Sequence, residues 1–528
     1  MELIVSHPSG APIVQDYLTG TEAAVRFYGR HFRDAAAFDT KRVEVDTRFD
    51  RAARECAVQA LSTPAGADPG RLERFVEQGG YMITTGQQPG LYGGPLYSIH
   101  KALTAVRLAE ALEDRLGKPV LPVFWVASDD HDWEEANHAD VIGVDNELHR
   151  FEVAAPAKGV SPPLHRVTLG SDADAMLERF IAVLPETEFS GEYLSLLREG
   201  FGAGGTIPGG FHTLLQRLLG RFGLFFTDAA DPVVKTRSTD VLEAELERSA
   251  ELEAVLRGTA DELGTAGYGL QAPLMEGGVN LFLEGPSGRE RVYREDGRFR
   301  LRASDTMMSG DEVLAARDRD PTVLSPNVLL RPVVESAIFP TLAYVAGPGE
   351  IAYFAQLGDY FRAHGVEMPV VYPRWAATPL EGKIRKVLDK FGVEVPDLNR
   401  PFHEVAGAFA REEVPEDLRT AIGTLRGAIG SGAGELQAAA IAVDPTLKGP
   451  VQHFRGQAFS ALDDVEKKVV QSVKRESEIA LSQLEKAQLH LFPRGKPAER
   501  VQNPLYFLTR YGGSFLDDLY ARFAVEFD

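Results

Sequence analysis

The hydrophobic pattern predicts buried strands and amphipathic helices that alternate through the first part of the chain. YMITT (81–85) and KPVLPVFWVAS (118–128) are apolar nearly throughout, as expected of parallel strands covered on both faces. Residues 95–117 between them repeat apolar positions every three or four residues, so the three segments predict a right-handed βαβ unit. The same order of strand, glycine-rich turn and helix returns at 341–361, followed by a strand-like run at 368–375. Two such units favour a doubly wound α/β core that binds ligands at the carboxyl ends of its strands.

Changes in this pattern predict four parts of the chain. Residues 1–80 are expected to be helical, and residues 81–375 to form the α/β core, with connecting insertions at about 150–330. Residues 376–500 show helical patterns with no strand candidate between them. The aromatic-rich tail, 501–528, is expected to dock on the core.

A heptad seam predicts an antiparallel coiled coil in the C-terminal part. Apolar residues from Leu462 to Leu491 recur in alternating steps of three and four over about four heptads, with one position lost at Glu476. The spacer DPTLKGP (444–450) suits a chain reversal, so we expect a helical hairpin. The alternative is a seam that packs one helix onto the core.

Composition narrows the class of protein. The formal net charge of −21 disfavours binding to nucleic acid or to anionic membranes. No apolar run approaches the roughly 20 residues of a membrane span, and the first residues do not resemble a signal peptide. Cys56 is the only cysteine, which excludes an internal disulfide and a multi-cysteine zinc site. We therefore expect a cytoplasmic protein without a tightly bound metal.

The stretch TTGQQPGLYGGPLYSIHK (84–101) places several glycines between a strand and a helix. It has neither the glycine spacing of a dinucleotide fold nor the Gly-Lys-Ser/Thr ending of a P-loop. Backbone amides that lead into a helix N-terminus, with Lys101 in the early helix, suit an anionic ligand group. Gln87 and Gln88 can bind polar ligand groups. The alternative is a tight connection with two solvated glutamines.

Acidic residues and a histidine follow the second strand in SDDHDWEEANH (128–138). Such a carboxylate–imidazole cluster can bind a substrate amine, act as a general base or hold a divalent metal. The alternative is that Asp129 or Asp130 caps a helix with an acidic first turn, and on such a helix His131 and His138 would share a face. Asp132 is the fourth candidate of the cluster.

The second glycine-rich turn adds further candidates. Gly347 opens a helix, and Glu350 in its first turn is either a partner of the helix dipole or, facing a pocket, a ligand for an ammonium group. Arg331 lies in an apolar context and Arg374 follows a strand. Burying either guanidinium unpaired would be costly, which favours a phosphate or carboxylate partner, or a structural ion pair.

Four segments of the chain resemble the bacillithiol biosynthesis cysteine-adding enzymes. They are TGQQPGLYGGPLYSIHKA, PVFWVASDDHDWEEANH, LRPVVESAIFPTLAYVAGPGEIAYFAQL and NPLYFLTRYGG, and they occur in order through nearly the whole chain. The resemblance implies a Rossmann-like core related to nucleotidyltransferases, with insertions. It also implies a C-terminal α-helical coiled coil that supports a homodimer.

The resemblance further implies a ligase that joins the carboxyl of cysteine to the amine of glucosaminyl-malate, the last step of bacillithiol synthesis. Amide formation from a free carboxylate is uphill in water, so ATP with Mg is the expected source of an acyl-adenylate or acyl-phosphate. Lys101 and the first glycine-rich turn would hold phosphates, supported by Arg374. Asp130 or His131 would deprotonate the amine. Arg331 or a helix N-terminus would bind the carboxylates of malate.

The chain departs from the family pattern at two places. Most members have tyrosine where this chain has His100, which is similar to the histidines of nucleotide motifs in the related superfamily. Most also have Gly-Glu-Asp-His-Asp where this chain has Ser128 to Asp132. The candidate catalytic residues are Asp130 and His131. The candidate substrate-binding residues are Gln87, Gln88, Asp129, Asp132, Arg331 and Glu350. The candidate phosphate-binding residues are Gly86, Gly93, Gly94, His100, Lys101, Gly347 and Arg374.

Two other functions remain open from the sequence. One is a nucleotidyltransferase-like enzyme that acts on another substrate. The other is a non-catalytic dimeric protein whose core binds a nucleotide or a small thiol.

Overall fold

The computed structural model describes residues 1–528 except 65, 66, 69, 156–158, 526 and 528. The chain divides into two compact units. The core unit comprises Leu3–Thr378 and Glu499–Asp528, and the helical unit comprises Met1–Glu2 and Pro379–Ala498. No helix of the described residues is long and apolar enough to cross a membrane.

The strands are β1 (Glu2–Ser6), β2 (Tyr81–Gln87), β3 (Val120–Val126), β4 (His138–Ile142), β5 (Leu148–Glu152), β6 (Phe225–Asp228), β7 (Gly278–Gly285), β8 (Gly288–Glu295), β9 (Arg298–Leu301), β10 (Thr306–Met308), β11 (Leu324–Pro326), β12 (Thr341–Ala346), β13 (Val370–Pro373) and β14 (Ala376–Leu380). The helices of the core unit are α1 (Pro12–Thr19), α2 (Glu22–Val25), α3 (Ala35–Arg48), α4 (Arg51–Val58), α5 (Arg71–Glu77), α6 (Tyr97–Leu116), α7 (Trp133–Ala136), α8 (Ala173–Ala182), α9 (Ser190–Gly200), α10 (Ile207–Leu219), α11 (Pro232–Glu247), α12 (Ser249–Thr265), α13 (Gly310–Arg319), α14 (Arg331–Ile338), α15 (Pro348–Phe354) and α16 (Gly358–Ala363). The helical unit contains α17 (Gly382–Phe391), α18 (Phe402–Glu412), α19 (Glu416–Val443), α20 (Lys448–Glu476) and α21 (Glu478–Leu491); the core unit ends with α22 (Leu505–Tyr511) and α23 (Ser514–Arg522).

A parallel five-stranded sheet forms the centre of the core unit, in the order β13-β12-β2-β3-β6. Every residue of β3 is buried, because helices cover both faces of a parallel sheet of this kind. The chain runs outward from β2 through β3 to β6 and returns to β12 on the other side of β2. The switch point between β2 and β12 is where an open α/β sheet binds ligands. The predicted α/β core is confirmed.

The insertion between β6 and β12 contains a second sheet, antiparallel in the order β10-β9-β8-β7-β11. It is preceded by α11, which Asp231 caps by accepting a hydrogen bond from the amide of Val233 at 2.7 Å. Strand β11 leads within a few residues into α14 and then into β12. This connection brings the antiparallel sheet to the carboxyl edge of the central sheet.

Two predictions about the chain ends need correction. Residues 2–6 form strand β1 rather than helix, and residues 376–380 form strand β14 in a region where no strand was predicted. The two strands pair with each other in a two-stranded sheet. Each strand has only five residues, too few for the hydrophobic pattern of either segment to distinguish a strand from a short helix.

The helical unit contains the predicted hairpin. Helices α19 and α20 are joined by a short turn over Pro445–Leu447, and Arg426 of α19 binds Asp463 and Glu466 of α20, each at 2.8 Å. The predicted helix through Leu462 to Leu491 is interrupted at Ser477, next to the position where the heptad seam is lost. The C-terminal helical part is therefore confirmed, with a break inside its seam.

Candidate functional site

A cavity of about 630 Å³ lies at the carboxyl ends of β2, β3, β12 and β13. Its opposite wall comes from the antiparallel sheet, through Phe282, Arg289 and Arg291, and from residues 326–329 after β11. Eleven of the predicted site residues line it: Gly86, Gln87, Gln88, Lys101, Asp129, Asp130, His131, Arg331, Gly347, Glu350 and Arg374. The structure does not place Gly93, Gly94, His100 or Asp132 on its wall. Most of the candidate residues thus lie together at the carboxyl edge of the sheet, where the doubly wound pattern predicts a ligand site.

Lys101 and Glu350 join the two glycine-rich turns through a buried ion pair. The ammonium of Lys101 lies 2.6 Å from Glu350 Oε2 and also donates to the carbonyl of Gly86. Glu350 Oε1 accepts from the hydroxyl of Tyr344 at 2.5 Å, and Oε2 accepts from the amide of Gly347 at 2.7 Å. Burial opposes ionisation of Glu350, but Lys101 and these hydrogen bonds outweigh it and lower the pKa of the carboxyl.

This pair changes the interpretation of both turns. Glu350 does hold an ammonium, as one prediction proposed, but the ammonium belongs to Lys101. The Gly347 amide, predicted to meet phosphate, is bound by Glu350. Gly86 is required by the neighbouring strand, because a Cβ there would lie 2.9 Å from the carbonyl oxygen of Trp125.

Gly93 and Gly94 form a tight turn that packs on other parts of the core unit. Both have positive φ, at 94° and 64°, and a Cβ on Gly93 would lie 2.8 Å from Leu214. The carbonyl of Gly94 accepts a hydrogen bond from the side chain of Asn503 at 3.2 Å. These contacts give the two glycines a structural role in the packing of the turn, and the structure does not place them on the cavity wall.

Arg374, Glu499 and His100 form a buried network behind the cavity wall. Glu499 binds the guanidinium of Arg374 with both oxygens, at 2.6 and 2.8 Å, and His100 Nδ1 lies 2.8 Å from Glu499 Oε2. Burial opposes ionisation of Glu499, but Arg374 and His100 outweigh it and lower its pKa to about 2. His100 is fully buried, and burial lowers its pKa, so it serves this network and does not reach the cavity.

Asp129 and Asp130 both have cationic partners within the protein. Asp129 Oδ2 lies 2.7 Å from the ammonium of Lys235, which is buried. Asp130 Oδ1 accepts from Arg289 at 3.1 Å. Burial opposes ionisation of Asp130, but His131 and Arg289 outweigh it and lower its pKa to about 2. So acidic a carboxyl is a weak base at neutral pH, which leaves His131 as the better candidate of the two.

His131 has two partners that favour different tautomers. Arg289 lies 3.0 Å from Nδ1 and can only donate, so this contact favours the ring with its proton on Nε2. Asp130 Oδ1 lies 3.3 Å from the same Nδ1 and can only accept when ionised. That contact favours the proton on Nδ1, which leaves Nε2 able to take a proton from a ligand. The ring packs against Phe282, with the ring centres 5.2 Å apart.

The residues after β3 form a shorter helix than the alternative interpretation required. The cap of α7 is Asp132, which accepts from the amide of Glu135 at 3.1 Å, and not Asp129 or Asp130. Asp132 therefore acts in capping rather than on the cavity wall. His138 begins strand β4, so it does not share a helix face with His131.

Arg331 is held on the wall near the switch point. Its Nη1 lies 2.6 Å from Glu335 Oε2, one turn along α14, and its guanidinium lies 5.1 Å from the centre of the Tyr344 ring. The structural ion pair left open by the sequence is therefore present. Like Lys101 and Arg374, Arg331 contributes a positive charge whose nearest carboxylate belongs to the protein.

Four charged residues of the cavity wall were missed from the sequence, and one of them, Arg289, is paired with Asp130 at 3.1 Å. Glu135, Arg291 and Arg500 line the cavity, and none of them belongs to an ion pair of the described residues. Glu135 lies inside a motif that was singled out, whereas Arg291 lies on a strand with many charges and Arg500 just before NPLYF. Only the folded chain shows which charges are already paired.

The described residues contain no cluster of three His, Cys, Asp or Glu side chains able to hold a metal ion. A divalent cation at this cavity would therefore depend on ligand phosphates and water for most of its coordination, as Mg²⁺ commonly does. The positively charged side chains of the wall would suit a ligand that carries such phosphates.

Comparison with known proteins agrees with this architecture. Residues 1–375 match the family model described as Bacillithiol biosynthesis BshC, N-terminal Rossmann-like domain, and residues 377–526 match the BshC C-terminal coiled-coil domain. Relatives named "Putative cysteine ligase BshC" include proteins of Salinibacter ruber, 31% identical over 96% of this chain and 92% of the relative, and Symbiobacterium thermophilum, 31% identical over 96% and 94%. A third, from Geobacillus thermodenitrificans, is 29% identical over 97% and 96%. The chain belongs to the BshC family of bacillithiol biosynthesis proteins.

Proposed function

We propose that this protein is a ligase that joins the carboxyl of cysteine to the amine of glucosaminyl-malate, forming the amide bond of bacillithiol. The relatives' printed name, which specifies a cysteine ligase, supports the reaction class. The observation that carries the proposal is the cavity at the switch point, whose wall combines cations with carboxylates and a histidine. The substrates bear carboxylates and amines, which need both kinds of partner.

ATP with Mg²⁺ is the proposed source of free energy. An oxygen of the cysteine carboxylate attacks a phosphorus of ATP, and pyrophosphate or ADP leaves. The sugar amine then attacks the activated carbonyl, its proton is taken up, and AMP or phosphate leaves with the former carboxylate oxygen. Arg291 and Arg500 have no ion pair among the described residues, and the same wall carries Lys101 and Arg374; this charge favours the phosphates and carboxylates on which these steps depend.

His131 is the proposed base for the attacking amine. With Nδ1–H directed to ionised Asp130, its Nε2 can accept the proton as the amide bond forms. In this tautomer Arg289 donates to Asp130 and not to Nδ1 of His131, so it holds the carboxylate that orients the ring. Asp130 is then a positioning residue, since its own pKa of about 2 makes it a poor acceptor at neutral pH.

Arg291 is the proposed partner for the malate carboxylates, in place of Arg331. Arg331 already forms an ion pair with Glu335, whereas Arg291 forms none among the described residues. One buried nitrogen of each side chain, Nε of Arg291 and Nη2 of Arg331, has no hydrogen-bond partner in the described part of the chain. Arg291 lies on the antiparallel sheet as the strand partner of Phe282, whose ring packs against His131, so a ligand bound there would lie near His131.

The test is mass spectrometry of the protein incubated with cysteine, glucosaminyl-malate and Mg-ATP, with single omissions. The proposal predicts bacillithiol only in the complete mixture. Pyrophosphate exchange that does not require cysteine would favour a nucleotidyltransferase acting on another substrate. Binding of a nucleotide or thiol with no turnover in any mixture would favour the non-catalytic alternative.

We also propose a homodimer that forms through the α19–α20 hairpin, in a cytoplasmic protein that binds neither nucleic acid nor membranes. Several apolar side chains of the hairpin are more than half exposed, among them Leu425, Leu436, Phe454 and Val465. Light scattering should give twice the 57.6 kDa chain mass, and the double variant Leu425→Glu, Phe454→Glu should give the monomer mass. A wild-type monomer would contradict this part of the proposal.

A further inference from the structure

We propose that Glu135 and Arg500 form a subsite for an α-amino acid at the mouth of the cavity. Glu135 receives the ammonium of cysteine and Arg500 its carboxylate. The assignment of cysteine as the amino acid rests on the proposed function; the recognition of a zwitterion rests on two opposite charges that line one cavity and form no ion pair among the described residues.

The charged side chains of the cavity wall divide into those paired within the protein and those available to a ligand. Each of six wall residues already has a partner of opposite charge within the core unit: Lys101, Asp129, Asp130, Arg289, Arg331 and Arg374. Glu350 completes the pair with Lys101. Replacing such a partner by a ligand would leave a buried charge uncompensated, which is costly. Ligand charges are therefore expected at residues without partners.

Glu135 is the one carboxylate of the described cavity wall without an ion pair. It lies on α7 and is exposed, and its Oε1 accepts only a long hydrogen bond of 3.4 Å from Gln87. Its pKa is raised by desolvation and by the nearby Asp132 and Asp130 carboxylates. An ammonium placed against Glu135 would relieve that repulsion, so the local field favours a cation at this point.

Arg500 supplies the complementary charge from the C-terminal segment. It is exposed, and its guanidinium lies 6.0 Å from the centre of the Tyr97 ring. Arg500 is near enough to Glu135 to oppose the rise in its pKa, yet the two form no ion pair. The neighbouring residue Glu499 is fixed by Arg374, which anchors this segment beside the wall.

A carboxylate and a guanidinium that line the same cavity without pairing with each other match the two charged groups of an α-amino acid. The ammonium and carboxylate of such a ligand are joined through a single carbon, so both can be bound in one small space. Neither charge of the protein has to leave an existing partner. With Glu135 fixing the ammonium, the carboxylate that must be activated is held at Arg500, on the cavity side of the segment.

The test uses calorimetry of the full-length protein with three ligands: cysteine, cysteamine, which lacks the carboxylate, and 3-mercaptopropionate, which lacks the ammonium. We expect Glu135→Gln to weaken cysteine and cysteamine by about 10- to 100-fold and to leave 3-mercaptopropionate unchanged. Arg500→Gln should weaken cysteine and 3-mercaptopropionate to a similar extent and leave cysteamine unchanged. Glu134→Gln on the same helix and Arg522→Gln in α23 carry the same charge changes away from the cavity and should bind like wild type.

The outcomes separate this subsite from the proposed function. Cysteine affinity that is the same in both variants and in wild type overturns the subsite, even if wild type forms bacillithiol. The crossed pattern of ligand losses supports the subsite, even if no product forms, and then only the ligase reaction fails. Equal binding of all three ligands by wild type also overturns the subsite, without relying on the folding of any variant.

Discussion

Glu499→Gln is the substitution that most sharply tests how the cavity wall is held. Glu499 binds both Nη atoms of Arg374 and contacts His100, and its side chain is only 6% exposed. Glutamine keeps the shape but removes the charge and presents an NH₂ group toward a guanidinium that cannot accept a hydrogen bond. Arg374 is itself 2% exposed and would remain charged.

Two routes give the size of the effect. Removing one partner of a buried ion pair costs about 3–5 kcal/mol. The pKa of Glu499, about 2 against an ordinary 4.5, corresponds to about 3 kcal/mol at about 1.4 kcal/mol per pKa unit. Glu499→Gln should therefore lower the unfolding free energy of the core unit by about 3 kcal/mol at neutral pH.

The pH dependence follows from the lowered pKa. Because the folded protein holds Glu499 ionised, its stabilisation is fully present above about pH 4.5 and is lost as the pH falls toward 2. The difference in stability between wild type and Glu499→Gln should consequently shrink between these pH values. Glu499→Gln has no carboxyl to protonate at this position, so its unfolding free energy should lack the fall with decreasing pH that Glu499 causes in wild type.

Urea unfolding followed by tryptophan fluorescence measures the loss of stability in the core unit, where Glu499 lies. All three tryptophans, Trp125, Trp133 and Trp375, lie in the core unit. The matched control is Glu178→Gln, which removes an equally bidentate pair with Arg198 at an exposed position and should leave the transition nearly unchanged. A Glu499→Gln transition no lower than that of Glu178→Gln would refute the reasoning.

Three further outcomes are expected. His131→Ala should lower kcat about 100- to 10,000-fold in the bacillithiol assay, with a smaller change in the KM for cysteine; an unchanged kcat would exclude His131 as the base. Arg291→Gln should raise the KM for glucosaminyl-malate about 10-fold or more, whereas Arg294→Gln on the same strand, which is not on the cavity wall, should not. Lys101→Met should destabilise the core unit by about 3–5 kcal/mol, because Glu350 loses its ammonium, and adding Glu350→Gln should restore part of the loss; strictly additive losses in urea unfolding would contradict the pairing.

Much of the core could be predicted because its signals are local. The uninterrupted apolar run of β3 and the three- and four-residue period of α6 are properties of single segments. The position of ligands at the carboxyl edge then follows from the topology. Strands β1 and β14 were missed because each has only five residues, too few to show a clear period.

The roles of individual site residues were harder to predict, because whether a charged side chain can bind a ligand depends on whether another residue already neutralises it. Lys101 and Glu350 lie in different motifs, and nothing in either motif shows that they neutralise each other. Glu499 is nearly 400 residues from His100 in the sequence, yet its carboxylate is the partner that binds the buried His100 ring. Gly93 was predicted to bind phosphate through the backbone amides of its turn, but the side chain packed against it is that of Leu214.

The most direct test of the central claim is to follow the oxygen of the cysteine carboxylate. Cysteine labelled with ¹⁸O in its carboxyl is incubated with glucosaminyl-malate, Mg-ATP and the protein, and the products are analysed by mass spectrometry. Activation of the carboxylate by ATP predicts one ¹⁸O atom in AMP or in phosphate for each bacillithiol formed. Formation of bacillithiol with no ¹⁸O in AMP or in phosphate would contradict an ATP-dependent ligase. Absence of bacillithiol from the complete mixture would contradict the ligase itself.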